Sequence, residues 1–357
     1  MNMDALRWQQ NSSLFYPWLA LLVLGWLMVA SASTGIAEDY TGNPAYFAIR
    51  HAVYLAAGIA VAFATSQISM ARWAKFDGLL LLAGILGLIL VFVPGIGHEV
   101  NGSQRWLNLG IIKIQASELA KVGAVFYVAG YLVRREDEVK SQWSGFLKPL
   151  GILGAMVGLL LMEPDFGAVV VLLGAAMIML FLGGVKAGQF FLLTFATIVI
   201  GVLVVGSEDY RVNRLLAYLN PWAPEHVYGT GYQLTQSLIA FGRGELFGVG
   251  FGESVQKLFY LPEAHTDFVF AIWAEETGLI GGLVALGLLG YLVACIWNIA
   301  WEAQKQGLMY ASYVATGLAA LLGLQIVINL GVNTGLLPTK GLTLPFFSYG
   351  GSSLMMC

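Results

Sequence analysis

Residues 167–184 read GAVVVLLGAAMIMLFLGG, and residues 188–206 read GQFFLLTFATIVIGVLVVG. Neither stretch contains a charged residue, and only Val185, Lys186 and Ala187 separate the two. A helix needs roughly 20 mainly apolar residues to cross the hydrocarbon core of a bilayer, and both stretches are close to that length. Each of them therefore predicts a membrane span.

The composition of the whole chain favours the same interpretation. Of its 357 residues, 58% are hydrophobic and 11% are charged, with a mean hydropathy of +0.75. A soluble domain usually carries about 25% charged residues, and a water-facing surface cannot hide that deficit. We therefore predict an all-α, polytopic membrane helix bundle. The sequence has no basic run that would indicate nucleic-acid binding.

Apolar stretches of about spanning length occur nine times along the chain. They lie near 16–34, 46–66, 78–95, 115–133, 147–162, 167–184, 188–206, 267–297 and 309–332. A tenth would begin near Gly351, but the sequence ends at Cys357, so we expect a truncated last span.

The positions of Lys and Arg predict a cytoplasmic N-terminus. In this orientation the inside segments carry Arg7, Arg72, Lys75, Arg134, Arg135, Lys140, Lys148, Lys186 and Lys305. The short outside loops carry only Arg50, Arg105, Lys113 and Lys340.

Three segments then lie on the outer side, at 101–109, 207–266 and 338–351. A structureless loop as long as the second is uncommon and is usually functional. Within it, Leu234, Leu238 and Phe241 fall on one helical face, which predicts a short interfacial helix from Tyr232 to Phe241. We interpret 1–357 as a single integral membrane domain in which 207–266 is a long periplasmic loop.

Ionisable residues within membrane spans are costly, so they are candidates for function. Glu118 and Lys121 lie three residues apart and share a helix face, so they can pair. The pair has two interpretations, either an ion pair that locks helices together or a lysine oriented by Glu118 to bind a phosphate. Arg50 and Arg105 at the same predicted depth favour an anion site, although each alone is also explained by interfacial snorkelling.

Asp267 lies at the junction between the long outer segment and an apolar helix. Partial desolvation there raises the pKa of a carboxyl group, which suits a general base. A helix N-cap is the alternative interpretation. Glu163 and Asp165 are explained by a tight turn with a capping Asp. If the helix that follows Asp267 is straight, Glu275 and Glu276 are too deep in it to act at the membrane surface, and they could instead bond to neighbouring helices.

Six motifs in the chain resemble those of the SEDS family in their usual order. They are Asn101-Gly-Ser-Gln-Arg-Trp-Leu107, Gln115-Ala-Ser-Glu-Leu-Ala-Lys121, Glu163-Pro-Asp-Phe-Gly167, Gly231-Tyr-Gln-Leu-Thr-Gln-Ser237, Leu261-Pro-Glu-Ala-His-Thr-Asp-Phe268 and Leu344-Pro-Phe-Phe-Ser-Tyr-Gly-Gly-Ser-Ser353. The resemblance covers nearly the whole chain. It implies a SEDS-type bundle with ten spans, and the fourth and fifth motifs are most like the cell-division member of the family.

This resemblance implies a peptidoglycan glycosyltransferase that polymerises lipid II by inverting transfer at the outer face of the inner membrane. Asp267 matches the family's essential aspartate and would be the general base, while Arg50, Arg105 and Lys121 would bind the pyrophosphates. The supporting residues would be Glu118, Ser117, His265, Thr266, Gln236 and Ser348. A divalent cation, Mg or Mn, could assist the leaving group, but the sequence shows no closed set of ligands for it.

The same resemblance implies a class B penicillin-binding protein (FtsI at the division site) and other divisome proteins as partners. It also implies a multi-pass inner-membrane location at the septum. The alternatives are a lipid II flippase, a non-catalytic scaffold that recruits the transpeptidase, and the elongation paralogue RodA. A flippase would place polar residues near the bilayer midplane, whereas those of this chain cluster near the predicted outer edge.

Overall fold

The computed structural model describes residues 3–100, 103–108, 113–206 and 209–357. Asn101 and Gly102 of the first motif, and Ser207 at the start of the long segment, lie outside the described residues. Fourteen α-helices are present in the described ranges: α1 (Met3–Thr41), α2 (Tyr46–Ser66), α3 (Met70–Leu90), α4 (Ala116–Arg134), α5 (Glu136–Ser141), α6 (Trp143–Met162), α7 (Phe166–Leu182), α8 (Ala187–Gly206), α9 (Asp209–Leu219), α10 (Pro224–Val227), α11 (Tyr232–Gly244), α12 (Val269–Lys305), α13 (Met309–Asn333) and α14 (Gly351–Met356).

Each of the nine predicted spans overlaps a helix, although the third, predicted near 78–95, is α3 at Met70–Leu90. Seven described helices are long and apolar enough to cross a membrane, namely those within α1, α2, α3, α4, α6, α12 and α13. The two stretches that open the sequence argument form the shorter apolar helices Phe166–Leu182 and Ala187–Leu203. The protein is therefore a multi-pass, helical membrane protein.

The chain forms two compact units, each built from separate segments. The first unit comprises Met1–Ala57, Ile198–Leu292 and Gln325–Gly350, and the second comprises Gly58–Thr197, Val293–Leu324 and Gly351–Cys357. Both are described below by their own internal contacts.

Glycines allow close backbone packing within each unit. In the first unit, a Cβ at Gly25 of α1 would lie 1.9 Å from the Phe346 carbonyl oxygen. In the second, a Cβ at Gly84 of α3 would lie 2.8 Å from Ala120 Cα of α4. Small residues at such crossings let membrane helices approach closely, which is a main source of their packing energy.

A small sheet follows α3 in the second unit. Its antiparallel strands β1 (Gly97–Val100), β2 (Ser103–Asn108) and β3 (Lys113–Gln115) pair in the order β1-β2-β3. From sequence this region is predicted to be a loop, because strands this short carry little alternation of polar and apolar residues. The sheet carries Arg105 on β2 and leads directly into α4.

Helix α12 is broken just after Glu275 and Glu276. Gly278 has φ 68° and ψ −168°, so the condition of a straight helix, on which the predicted depth of the two glutamates depends, does not hold. The two glutamates lie in the segment before this break, and the uncharged run that is long enough to cross the bilayer begins after it, at Leu279. Their side chains form ion pairs within the first unit, with Arg243 and Lys257.

A helix also occupies the stretch where the sequence predicts a short interfacial helix. This is α11, Tyr232–Gly244, with Leu234 buried and Leu238 and Phe241 half-buried. Its position at the membrane surface stays a prediction, as do the single-domain interpretation and the periplasmic assignment of 207–266.

Candidate functional site

Asp267 is fixed through its backbone. Its carbonyl oxygen accepts hydrogen bonds from Asn329 Nδ2 at 2.9 Å and from Asn333 Nδ2 at 3.0 Å, both on α13. The residue itself is half-buried. Because two side-chain amides hold the main chain, the Asp267 side chain extends from a fixed backbone position.

The N-cap interpretation of Asp267 is wrong in detail. Helix α12 begins at Val269, and the carbonyl of Phe268 accepts the first helical hydrogen bonds, from Ala271 N and Ile272 N. Phe268 is therefore the N-cap residue, and Asp267 precedes it. The sequence pattern favoured Asp because a carboxylate is a far commoner cap than an aromatic residue.

The loop at 338–350 packs against the Asp267 segment. Tyr349 N donates to the carbonyl oxygen of His265 at 2.9 Å. A Cβ at Gly341 would lie 2.9 Å from Asp267 Oδ2, so the backbone at 341 passes beside the carboxylate. In the same loop, Ser348 Oγ accepts from Leu344 N at 2.7 Å and closes a turn, which gives Ser348 a structural role.

Aromatic rings surround His265 in the first unit. Its ring centroid lies 5.0 Å from that of Phe47 and 5.7 Å from that of Tyr349. Burial lowers the pKa of His265 below its ordinary value, although nearby Glu263 opposes this effect. Among the described residues, nothing forms a hydrogen bond with its Nδ1. These observations favour a neutral, packed histidine.

Arg50 is oriented by two tyrosines of its own helix, α2. Its Nη1 and Nη2 donate to the hydroxyl groups of Tyr46 and Tyr54, each at 3.0 Å. Both acceptors are uncharged, so the guanidinium is positioned without being neutralised by them.

The other two predicted supporting residues of this unit have weaker links to Asp267. Thr266 Oγ1 donates to Glu263 Oε2 at 2.5 Å and to the Glu263 carbonyl at 3.2 Å, so it stabilises the turn before Asp267. Gln236 lies half-buried on α11.

The predicted pair on α4 is present in the second unit. Lys121 Nζ donates to Glu118 Oε1 at 2.8 Å, and the two side chains are 2% and 7% exposed. Both residues belong to one helix, so this contact does not itself join two helices. Burying a charged lysine costs desolvation energy, which the pairing with Glu118 only partly offsets. Costly ionisable residues within membrane spans are often functional, so the pair is a strong candidate for function.

Ser117 belongs to a network that the sequence analysis missed. Its Oγ donates to Asp165 Oδ2 at 3.0 Å, and Gln115 Nε2 donates to Ser117 Oγ at 3.1 Å. Asp165 also caps α7 by accepting from Ala168 N at 3.2 Å, as predicted. The cap was predictable from neighbouring residues, whereas the hydrogen bond to Ser117 joins residues far apart in the chain.

Arg105 binds the turn that contains Glu163. Its Nε donates to the Glu163 carbonyl at 3.1 Å and its Nη2 to the Pro164 carbonyl at 2.8 Å. These acceptors are neutral, so the guanidinium is again oriented without losing its charge. The turn at Glu163 and Asp165 was predicted, but its second role, accepting the hydrogen bonds that orient Arg105, was not.

The Glu163 side chain is fully buried, at 0% exposure. Within the described ranges, neither of its carboxylate oxygens has a hydrogen-bond partner. Burial, reinforced by Asp165 and opposed by Arg105, raises the pKa of Glu163 to about 8. Burial therefore favours the protonated, neutral form of the Glu163 carboxyl.

The described part of the chain contains no group of three or more His, Cys, Asp or Glu side chains that could hold a metal ion. Asp165, Glu118 and Glu163 are instead engaged in capping, pairing and burial respectively. The divalent cation stays a prediction.

Comparison with known proteins gives consistent results. A family model described as cell cycle protein, FtsW/RodA/SpoVE, matches residues 11–357. A probable peptidoglycan glycosyltransferase FtsW from Pseudomonas fluorescens is 52% identical over 339 residues, 95% of this chain and 83% of that protein. The protein with the same description from Coxiella burnetii is 50% identical over 360 residues, 99% of this chain and 94% of its own length.

Solved structures share the fold. A chain from a peptidoglycan synthase complex aligns with a TM-score of 0.78 and 30% identity, over 96% of this chain and 93% of that one. The rod shape determining protein RodA of Thermus thermophilus aligns with a TM-score of 0.69 and 29% identity, over 96% of this chain and 91% of its own. The SEDS resemblance of the sequence motifs is confirmed, and the chain belongs to the FtsW/RodA/SpoVE family of cell cycle proteins.

Proposed function

We propose that this protein is a peptidoglycan glycosyltransferase that polymerises glycan strands from lipid II during cell division. Relatives that are about half identical to this chain are described as probable peptidoglycan glycosyltransferases, which supports the activity. The observation that carries the chemistry is the fixed backbone of Asp267, whose carbonyl is bonded to Asn329 and Asn333 while the residue stays partly accessible. A rigidly placed carboxylate is what general-base catalysis requires.

In the proposed reaction, the 4-hydroxyl oxygen of the acceptor GlcNAc attacks the anomeric carbon of the donor MurNAc. Asp267 accepts the hydroxyl proton as the new oxygen–carbon bond forms. The bond between the anomeric carbon and the phosphate oxygen breaks, and undecaprenyl pyrophosphate leaves with the electron pair. Attack opposite to the leaving group inverts the configuration of that carbon.

Cationic side chains stabilise the charge on the departing pyrophosphate. We assign this role to Arg50, Arg105 and Lys121. The two arginines donate to neutral hydroxyl or carbonyl groups, so both keep a net positive charge for an anion. Glu118 orients Lys121.

Two features favour a role in division over elongation. The relatives described as FtsW are about half identical to this chain, whereas the solved RodA is 29% identical. We therefore place the protein at the septum of the inner membrane, with its N-terminus in the cytoplasm and Asp267 on the outer side.

The partner is proposed to be a class B penicillin-binding protein of the FtsI type, with other divisome proteins. A structural relative of this chain is part of a peptidoglycan synthase complex, which supports such a partner. Coupling to a transpeptidase would cross-link each strand as it emerges.

The test uses the purified full chain, with its transpeptidase partner, in vesicles that contain lipid II and no ion gradient. The wild-type protein is expected to form glycan strands, and both Asp267→Ala and Asp267→Asn to abolish them. Asp39→Asn is the matched control, because Asp39 is an exposed aspartate near the end of α1. It should retain full activity.

A flippase is the principal alternative, and lipid II translocation is measured in the same vesicles. Translocation that survives Asp267→Asn, in protein that never forms a polymer, would support the flippase and refute the polymerase. Polymer formation by Asp267→Asn at the wild-type rate would remove Asp267 from the mechanism.

A further inference from the structure

A segment with many exposed apolar residues lies between α11 and the motif Leu261–Phe268, which contains Asp267. We define the apolar rim as six bulky residues of this segment whose exposed fractions run from 51% to 78%: Leu246, Phe247, Phe251, Leu258, Phe259 and Tyr260. Leu261, the first residue of the Asp267 motif, follows the rim directly in sequence and is itself buried. Soluble surfaces rarely expose so many large apolar side chains together.

Backbone hydrogen bonds attach this segment to α12 at its break. Leu279 N donates to the Glu245 carbonyl at 2.9 Å, and Ile280 N donates to the Leu246 carbonyl at 3.2 Å. On the other side of Gly278, Val249 N donates to the Glu275 carbonyl at 3.0 Å. Leu246, the first residue of the rim, therefore lies beside residues 279–280, and the chain that follows it runs along α12 on the other side of the break.

The lipid-facing part of α12 begins at residues 279–280, beside Leu246. Leu279, Ile280 and Leu283 are 53%, 50% and 57% exposed. They open the long uncharged run of the helix. Exposed apolar residues on a membrane-spanning helix face lipid. The rim thus begins, at Leu246, next to the lipid-facing surface of α12.

Charges behind the rim are paired and buried. Lys257 Nζ lies 2.8 Å from Glu276 Oε1, and Ser31 Oγ of α1 donates to the same oxygen at 2.7 Å. Glu275 is paired with Arg243 at 3.1 Å. Lys257, Glu275 and Glu276 are 7%, 0% and 1% exposed, so their charges are hidden from the surface that carries the rim.

Two acidic residues limit how deep this surface can go. Glu245 and Glu253 are exposed within the same segment. Carboxylates are strongly disfavoured in the hydrocarbon centre but are tolerated among head groups. The segment therefore suits the boundary between head groups and acyl chains, where apolar side chains of interfacial segments insert by roughly 5–10 Å.

We propose that the apolar rim inserts among the phospholipid acyl chains of the leaflet on the Asp267 side. Backbone hydrogen bonds hold the start of the rim segment against α12, and the Asp267 motif follows the rim directly in the chain. Its insertion fixes the height of residues 261–267 relative to the bilayer surface. A sugar linked to a membrane lipid stands at a defined height above that surface, so the rim would set the level at which Asp267 meets its substrate.

Spin labels test the insertion directly. Phe247→Cys, Phe251→Cys and Phe259→Cys are labelled one at a time in nanodiscs, in a background with Cys295→Ser and Cys357→Ser that replaces both native cysteines. Oxygen, which partitions into lipid, and a water-soluble nickel chelate are used as relaxation agents. Leu283→Cys is the lipid-exposed reference, and Tyr228→Cys, at 89% exposure in the long segment, is the water-exposed reference.

The three rim labels are expected to show the high oxygen-to-nickel accessibility ratio of Leu283, and Tyr228 the low one. Rim labels that match Tyr228 would overturn the proposal. Labels protected from both agents would also overturn it, because protein, such as a second copy of the chain, would then cover the rim. This measurement needs no enzymatic activity, so it is independent of the proposed function.

A second measurement connects the rim to the substrate. The double variant Phe247→Ser, Phe259→Ser is compared with the wild type in melting temperature and in strand formation from lipid II. A folded variant should have a raised KM for lipid II with a smaller change in kcat, because the height of the site is altered and its chemistry is not. An unchanged KM in folded protein would refute the link to the substrate, while wild-type protein that forms no strands would refute the proposed function alone.

Discussion

Gly341 leaves just enough space for the Asp267 carboxylate. A Cβ at this position would lie 2.9 Å from Oδ2, closer than real Cβ contacts are found, so the carboxylate would have to move. A misplacement of about 1 Å at a reacting group can cost roughly 100-fold in rate. We therefore predict that Gly341→Ala lowers the rate of strand formation by about 10- to 100-fold, with little loss of stability.

Strand formation and melting temperature are measured together for this variant. Gly151→Ala is the matched control, since nothing lies within 4 Å of a Cβ at Gly151. Wild-type activity in Gly341→Ala would show that the position of this carboxylate is not critical.

Glu163 makes the stability of the protein dependent on pH. Burial raises the pKa of its carboxyl to about 8, from an ordinary value of 4.5. Between these values the folded protein keeps a proton that the unfolded chain releases, so the folded state is progressively destabilised as pH rises through the window. Each pKa unit of difference between the folded and unfolded states lowers the free energy of unfolding by about 1.4 kcal/mol at high pH.

We predict that Glu163→Gln removes this loss, because an amide stays neutral at every pH. Relative to the wild type, its melting temperature should rise between pH 5 and pH 8 and then remain level. Exposed Glu99 on β1 supplies the control variant Glu99→Gln. A difference between Glu163→Gln and wild type that does not change with pH would show that Glu163 is ionised in the folded protein.

At the scale of elements, the break in α12 depends on one glycine. Gly278 has φ 68° and ψ −168°, a backbone region that is essentially restricted to glycine. A Cβ there would also lie 2.4 Å from Gly248 N. We predict that Gly278→Ala destabilises the protein by about 1–3 kcal/mol from the backbone alone, and by more because the contact with the rim segment must open.

The melting temperature in detergent checks this prediction. Gly290→Ala, on the same helix, is the control, because nothing lies within 4 Å of a Cβ at Gly290. Equal melting temperatures for the two variants would mean that α12 tolerates a straight path through residue 278.

Helices were predictable from this sequence because an apolar run of spanning length has few alternatives in a bilayer. The break was not, since Gly278 is one of several glycines in the same run and only its contacts with residues 245–250 distinguish it. The three-stranded sheet was missed for a related reason, because its strands are short and are defined by their pairing.

Contacts between site residues were likewise predictable only when they are local in the sequence. Glu118 and Lys121 were predicted to pair because three residues on a helix place them on one face. By contrast, the hydrogen bonds from Arg105 to the carbonyls of Glu163 and Pro164 join residues 58 and 59 positions apart. The bond from Ser117 to Asp165 joins residues 48 positions apart. No local pattern reports such contacts.

At the scale of the whole molecule, the buried Glu118–Lys121 pair is the ion pair whose role matters most, and it has two candidate roles. If Lys121 binds the leaving group, its removal should affect turnover as a catalytic change does. If the pair is only structural, a neutral replacement of similar volume should be tolerated, because buried ion pairs can often be exchanged for well-packed neutral residues.

The double variant Glu118→Gln, Lys121→Met separates these two roles, since it removes both charges together and leaves no unpaired charge in the buried site. We predict a folded protein whose strand formation falls by about 100-fold or more, the typical effect of losing one electrostatic contact to a transition state. The same double replacement of the exposed pair Glu302 and Lys305, which has the same three-residue spacing on α12, is the control and should be fully active. A Glu118→Gln, Lys121→Met protein that melts and polymerises like wild type would assign the buried pair to the stability of the bundle and remove Lys121 from the pyrophosphate site.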